Sequence, residues 1–284
     1  MFQFIHAEKA NFSIAFACSA LGVSRSGYYR WAKAPLSQRT CEDRKLAAQV
    51  FDIHTEHKGR YGSPRIHREL RARGQRVGRK RVARLMSNQG LRGRLPRRFR
   101  RTTDSRHGYR IAPNLLARDF HVDAVDRVWA GDITYVPTRE GWLYLAVLLD
   151  LCSRRVVGWA VSETIDTRLA LAALRMAVDT RSPSKGLLHH TDRDGRYASD
   201  EYQRALRDAG LTPSMSRRGD CWDNAVAESF FATLEKELLS EGLFPTHAHA
   251  RSAIADYIVN YYNTKRLHSH LDYKSPVEYE LTAA

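Results

Sequence analysis

A mixed α/β sheet with helices for both faces, preceded by an all-helical basic segment, is the architecture this sequence predicts. Three observations carry that expectation. From residue 128 onward, short runs rich in Val, Ile, Leu and Tyr alternate with helix-period segments. Before residue 95 the chain reads as two successive helical pairs with no strand pattern. The charge is also unevenly divided. Residues 1–110 hold 26 Lys and Arg against 7 Asp and Glu, whereas residues 111–284 hold 20 against 24. A basic first third beside a mildly acidic remainder points to a polyanion grip followed by a part with a different task.

The elements follow in order. In FACSALGVSRSGYYRW, Gly22 sits in a turn, Ser24 is placed to cap, and Tyr28, Tyr29 and Trp31 continue a second helix. In RYGSPRIHRELRARG, Ser63 reads as the N-cap and Pro64 as the first helical residue, with Ile66 and Leu70 on one face. In RKRVARLMSNQG, Val82, Leu85 and Met86 share a face and Gly90 marks the stop. Arg79, Lys80, Arg81 and Arg84 lie between those apolar positions, with Arg65 on the helix before, so these five are candidate DNA contacts. Residues 91–101, LRGRLPRRFRR, carry six arginines, Arg97 and Arg98 among them, and read as an extended linker able to track phosphates.

Strands are expected at VWAGDITYVPT, GWLYLAVLLD and RVVGWAVS, followed by the helix TRLALAALRMAVDT. The strand GLLHHTD, the helix SDEYQRALRDAG, the strand LTPSMS and the long helix WDNAVAESFFATLEKELL complete a β-β-β-α-β-α-β-α order. The expected division is 1–40 and 41–95 as two helix-turn-helix segments and 96–125 as a basic linker. A catalytic core over 126–240 and a C-terminal helical extension over 241–284 complete it.

Composition excludes several classes. No run approaches the roughly 18 consecutive apolar residues of a membrane span. The N-terminus lacks the order of a signal peptide, so a cytoplasmic protein is expected. Four scattered cysteines make no disulfide framework. Cys18, Cys41, His54 and His57 have too short a gap between the histidines for a usual zinc set.

Three acids stand in apolar or small-residue surroundings: Asp132 within the first strand, Asp192 at the end of the fourth, and Glu228 within the last helix. A carboxylate among apolar residues is costly unless something pairs it. Carboxylate oxygens suit hard cations such as Mg²⁺, and three of them can hold two ions about 4 Å apart for in-line phosphoryl displacement. Asp150, Asp194 and Asp223 compete for the same role. Each acid taken singly reads equally as a cap or a solvated loop residue. Nearby, Arg217 and Arg218, Asn224, and Lys265 with Arg266 are candidate DNA contacts; Asn224 also reads as a helix-start residue, and the Lys265–Arg266 run as a core brace. His190 reads as a satisfied buried histidine.

The segments WAGDITYVPT, LLDLCSRRVVGWA, HHTDRDGRYAS, SMSRRGDCWDNAVAESFFATLEKEL and YYNTKRLHSHLDYKSPVEYE, with HKGRYGSPRIHRELRARG before them, resemble the OrfB-type transposases of bacterial insertion sequences. These are relatives of retroviral integrases. The resemblance implies a ribonuclease H-like core and a metal-dependent DDE triad at Asp132, Asp192 and Glu228, the last two separated by 35 residues. It further implies two Mg²⁺ ions, with Mn²⁺ able to substitute, and binding of double-stranded terminal inverted repeats and target DNA. Strand cleavage and joining within a homo-oligomer, a partner from an upstream reading frame and a nucleoid location also follow from it. Two positions depart from the family's usual pattern: Asp194 stands where Gly is usual, and Asp220 where Asn is usual.

The rival expectations are a ribonuclease H-fold nuclease, a non-catalytic DNA-binding regulator, and a tyrosine or serine recombinase. Cleavage of generic RNA–DNA hybrid would mark the first, indifference to loss of Asp132 the second, and a covalent protein–DNA adduct the third.

Overall fold

The structure is a computed structural model that describes residues 1–33, 37–94, 108–217 and 221–283. Arg97, Arg98, Arg218 and Asp220 lie outside the described residues, as does the part of the expected linker before residue 108.

The N-terminal helices are α1 (Phe2–Ala7), α2 (Ile14–Ala20) and α3 (Arg25–Lys33), which close a small core of Ile5, Cys18 and Tyr28. Ser13 caps α2, and Gly22 takes the left-handed turn between α2 and α3. The Ser24 hydroxyl accepts from Gly27 N at 3.1 Å, as the sequence predicts.

Three further helices follow: α4 (Gln38–Glu56), α5 (Ser63–Ala72) and α6 (Arg79–Asn88). The second helical pair is therefore a three-helix unit. Leu46, Val50 and Ile53 of α4 are buried with Ile66, Leu70, Val82, Leu85 and Met86. Gly62, one residue earlier than expected, is the N-cap of α5.

The sheet has five strands: β1 (Val128–Thr138), β2 (Gly141–Asp150), β3 (Val156–Ser162), β4 (Leu188–Thr191) and β5 (Thr212–Met215). Their order is β3-β2-β1-β4-β5, with β1, β2 and β3 antiparallel and β1, β4 and β5 parallel, the ribonuclease H-like arrangement. The apolar run of β2 is explained by burial on both faces. Leu143, Leu145, Val147 and Leu149 point to one core, and Ala146 and Leu148 to the other.

The second core is covered by α7 (Thr167–Arg181), the short α8 (Gly195–Ala198) and α9 (Asp200–Asp208). The first is covered by α10 (Ala225–Glu237) and α11 (His247–Ala255), which runs into a π-helical stretch over Asp256–Tyr262. A last helix, α12 (Pro276–Ala283), is anchored where Arg181 Nη1 donates to Glu280 Oε2 at 3.0 Å.

The three-helix unit is clasped to the α/β part by polar contacts. Tyr61 Oη accepts from Leu267 N at 2.9 Å, and Arg65 Nε donates to the Leu267 carbonyl at 2.8 Å. Arg60 Nε and Arg94 Nη1 both donate to the Glu237 carbonyl, at 3.0 and 3.1 Å. The Glu237 side chain, wholly buried, is gripped by Arg266 Nε at 2.9 Å and receives Tyr257 Oη at 3.0 Å.

Two stability outcomes are expected. A Cβ at Gly158 of β3 would lie 2.3 Å from the Ala173 carbonyl of α7, a backbone atom with no freedom to swing aside. Gly158→Ala should therefore cost about 1–3 kcal/mol in denaturant unfolding; an unchanged midpoint would show that α7 does not seat on β3 this closely. Removing one partner of a buried ion pair strands the other charge. Arg266→Met should lower stability by about 3–5 kcal/mol, and adding Glu237→Leu should recover part of that loss.

Candidate active site

Strand register brings the first two acids together. Parallel pairing of β1 with β4 matches Gly131 to Thr191, so the next residues, Asp132 and Asp192, emerge side by side where β4 ends. Gly131 is a site of close approach, because a Cβ there would lie 2.9 Å from the His189 ring. Glu228 stands in the first turn of α10. The start of that helix is tied to β1 by Asn224, whose Nδ2 donates to the Gly131 carbonyl at 3.3 Å. Asn224 thus occupies the N-cap position without capping through its side chain, and braces the site instead.

The electrostatics reflect this convergence. Burial and then the Asp192 charge push the Asp132 carboxyl well above the usual carboxylate range, with further upward contributions from Glu228 and Asp194. A backbone bond from Ile133 N to Asp132 Oδ1, 2.8 Å, works in the opposite direction. Asp132, Asp192, Asp194, Tyr135 and Tyr197 line one small cleft.

Mutually repelling carboxylates are the donor set a hard divalent cation favours. Buried polar atoms without a hydrogen-bond partner include Tyr197 Oη and Arg196 Nε on residues of the cleft, and Asn224 Oδ1 on the residue bonded to the Gly131 carbonyl. Two of these are oxygens able to receive a cation's hydration shell. The residues therefore fit such an ion in chemistry. Among the described residues, no three His, Cys, Asp or Glu side chains are drawn into a closed metal-holding group. The carboxylates would have to close further around a cation.

The competing acids have other tasks. Asp150 is fully buried and accepts from Ser153 N and Asp126 N, each at 2.7 Å, closing the turn after β2. Asp223 is buried and receives Arg118 Nε at 2.9 Å, Asn114 Nδ2 at 2.9 Å and Arg217 N at 2.8 Å. The Arg217 guanidinium beside it holds its carboxyl far below the usual range. Asp194 caps α8, accepting from Arg196 N at 3.0 Å, and its other oxygen is ion-paired with the Arg196 guanidinium.

With the geometry in place, relatives can be compared. Residues 123–221 and 209–276 match the family described as Integrase core domain, and residues 41–99 match the HTH-like domain. The InsF transposase for insertion sequence IS3A of Escherichia coli (strain K12) is 40% identical over 98% of this chain and 98% of its own. The chain belongs to the IS3-family insertion-sequence transposases. The IS600 31 kDa protein of Shigella sonnei is 42% identical over 92% of this chain and 96% of its own. Among solved structures, the magnesium complex of the HTLV-2 integrase catalytic core is a distant likeness. It is 18% identical over 55% of this chain and 97% of that one, with a TM-score of 0.41.

The expected DNA contacts of this transposase sort into distinct groups. Arg79, Lys80 and Lys265 are exposed. Arg81 and Arg84 are ion-paired with Asp43, at 2.6 and 2.7 Å, which ties α6 to α4. Arg217 is engaged with Asp223. Arg266 is buried and bound to Glu237, which braces the core. Arg65 is half-buried and donates through Nε to the Leu267 carbonyl. Arg118, Arg196 and Tyr197 were not singled out in the sequence. The Asp-x-Arg spacing of Asp194 and Arg196 is the one local signal that marks a capped, ion-paired turn.

Both nitrogens of the His190 ring meet serines, Ser214 Oγ at 2.9 Å and Ser216 Oγ at 3.2 Å, so this histidine is buried and satisfied. Burial, with the neighbouring His190, pushes His189 down to about 3; burial, with Arg266 beside it, pushes His268 down to about 2. The unfolded chain protonates such rings near pH 6.5, whereas the folded chain does not. They therefore draw stability down as pH falls below about 6.5 and contribute no pH dependence above it. In proton NMR, the His189 and His268 ring signals should hold their neutral positions from about pH 8 to 5. A midpoint near 6.5 for either would mean its ring is solvated.

Proposed function

We propose that this transposase binds the terminal inverted repeats of its insertion sequence as duplex DNA and cuts and joins strands at Asp132, Asp192 and Glu228. The observation that carries the reading is the β1–β4 register that sets Asp132 beside Asp192, with Glu228 in the first turn of α10 adding its charge to the upward push on Asp132. The same three positions stand in the motifs that resemble the family's triad.

The chain's own part in the reaction is placement. Asp132 and Asp192 project from neighbouring strands of a rigid sheet, so their separation is set by backbone hydrogen bonding. Glu228 approaches from the opposite element, and Asn224 holds that element in reach. Two Mg²⁺ ions held by these carboxylates, or Mn²⁺ in their place, would supply Lewis acidity to the attacking and leaving oxygens of a phosphodiester. In the first step a water oxygen bonds to phosphorus as the P–O3′ bond breaks, freeing a 3′-hydroxyl and leaving a 5′-phosphate. In the second, that hydroxyl oxygen bonds to a target phosphorus as the target's own 3′-oxygen leaves with the proton. One phosphodiester is made for the one broken, with no protein–DNA adduct.

The basic helices supply the duplex grip, with Arg79 and Lys80 on the exposed face of α6 as its first candidates. Arg97, Arg98 and Arg218 belong to the same proposal from sequence alone. The division at residues 40, 95, 125 and 240, assembly as a homo-oligomer on DNA, an upstream-frame partner and a nucleoid location complete it. No described helix is long and apolar enough to cross a membrane.

The test is cleavage and joining of the element's own ends in Mg²⁺. Asp132→Asn, Asp192→Asn and Glu228→Gln should each reduce both steps to background while duplex binding persists. Joining retained by any one variant would falsify its place in the triad.

A further inference from the structure

A second cavity, of about 350 Å³, opens between α10 and the segment 262–270. Its character is the reverse of the acidic cleft. Arg65, Arg154, Arg266, His268 and His270 all line it, and among the described residues its lining holds no Asp or Glu. The buried Glu237 is taken by Arg266. Arg65 donates through Nε to a neutral carbonyl, and its guanidinium lies over the neutral Tyr61 ring, 5.5 Å from the centroid. Arg154 Nη2 donates to His270 Nε2 at 3.0 Å, again a neutral acceptor. Asp150, close to Arg154 along the chain, is occupied by Ser153 and Asp126.

Two guanidinium charges without a carboxylate partner in a half-buried cavity are costly unless an anion shares the space. The backbone adds a second sign. Arg154 has φ 61°, a left-handed conformation that costs a non-glycine residue on the order of 1 kcal/mol and accumulates at functional positions. Ala225 and Val226, the first residues of α10, form part of the rim, so the positive end of the helix dipole adds to the field. Arginine forks match the oxygen geometry of a phosphate.

The location gives the phosphate a context. Ser229 is on the cavity wall, and Glu228 is the residue before it on the same helix. Glu228 and the wall of the basic cavity therefore share one helical turn. We infer that this cavity holds a backbone phosphate of a DNA strand beside the reacting bond, with Arg154 as its principal ligand. This rests on the nucleic-acid reading above.

The experiment uses the full chain without Mg²⁺ and a random-sequence duplex over a salt series. It also uses inorganic phosphate at constant ionic strength in thermal unfolding. Arg154→Asn removes the charge and keeps a residue that tolerates the left-handed turn. Ser229→Glu places a negative charge on the cavity wall from an exposed helix position. Each should make the plot of log affinity against log salt shallower by about one unit, the loss of one phosphate contact. Phosphate should raise the unfolding temperature of the parent chain and lose that effect in both variants. If the parent binds duplex and both variants keep its slope, this inference falls while the function proposed above stands. If the phosphate effect vanishes but duplex binding is untouched, the cavity takes small anions only and the strand assignment is overturned. A parent chain that binds no duplex would overturn the function proposed above as well.

Discussion

The buried pair of Glu237 and Arg266 is the contact on which the rest of the molecule hangs. Glu237 ends α10, the helix that carries Glu228. Its carboxylate receives Arg266 from the C-terminal extension and Tyr257 from the π-helical stretch, while its backbone carbonyl receives Arg60 and Arg94 from the N-terminal three-helix unit. One residue thus ties three regions that are far apart in sequence. A charge taken out of water repays its desolvation only when all its bonds are made, so the pair enforces a single seating of α10. That seating, with the Asn224 bond to Gly131 at the other end, sets where Glu228 stands relative to Asp132.

Much of this was legible in the sequence, and the reasons differ by element. The strands announce themselves because each has a simple burial pattern: β2 is apolar throughout since both faces are covered, and β1 carries one acid at the position where β4 stops. Helix starts were readable from Ser24, though Gly62 displaced Ser63 by one position because its extended backbone already serves as the cap. The helix α4 has weak apolar periodicity, with Arg, Lys and Gln among its buried Leu46, Val50 and Ile53, and so no motif exposed it. The site was legible as three acids but not as a geometry, since register is a property of paired strands. Basic residues were least readable. Nothing local reveals that the acceptors of Arg65 and Arg266, Leu267 and Glu237, lie about 200 and 29 residues away.

The helix α10 divides two kinds of charge. Glu228 and the strand acids gather negative charge at one face, and Arg154 with Arg65 gathers positive charge beside the next. In bulk water such neighbouring fields would be largely screened, but both lie in partly buried surroundings where screening is weak. A polyanion approaching this helix meets attraction and repulsion within one turn, which favours one orientation of a strand over its reverse.

Asp194 and Arg196 carry a final consequence. The first caps α8 and the second neutralises it, so an additional acid at the rim of the cleft arrives together with its own counter-charge. Reverting Asp194 to the glycine usual at that position in the resembling family would leave a lone guanidinium facing Asp132 and Asp192, a tethered cation competing for the same carboxylates. The two side chains therefore act as one unit, and a change at Asp194 alters which partner is left for Arg196.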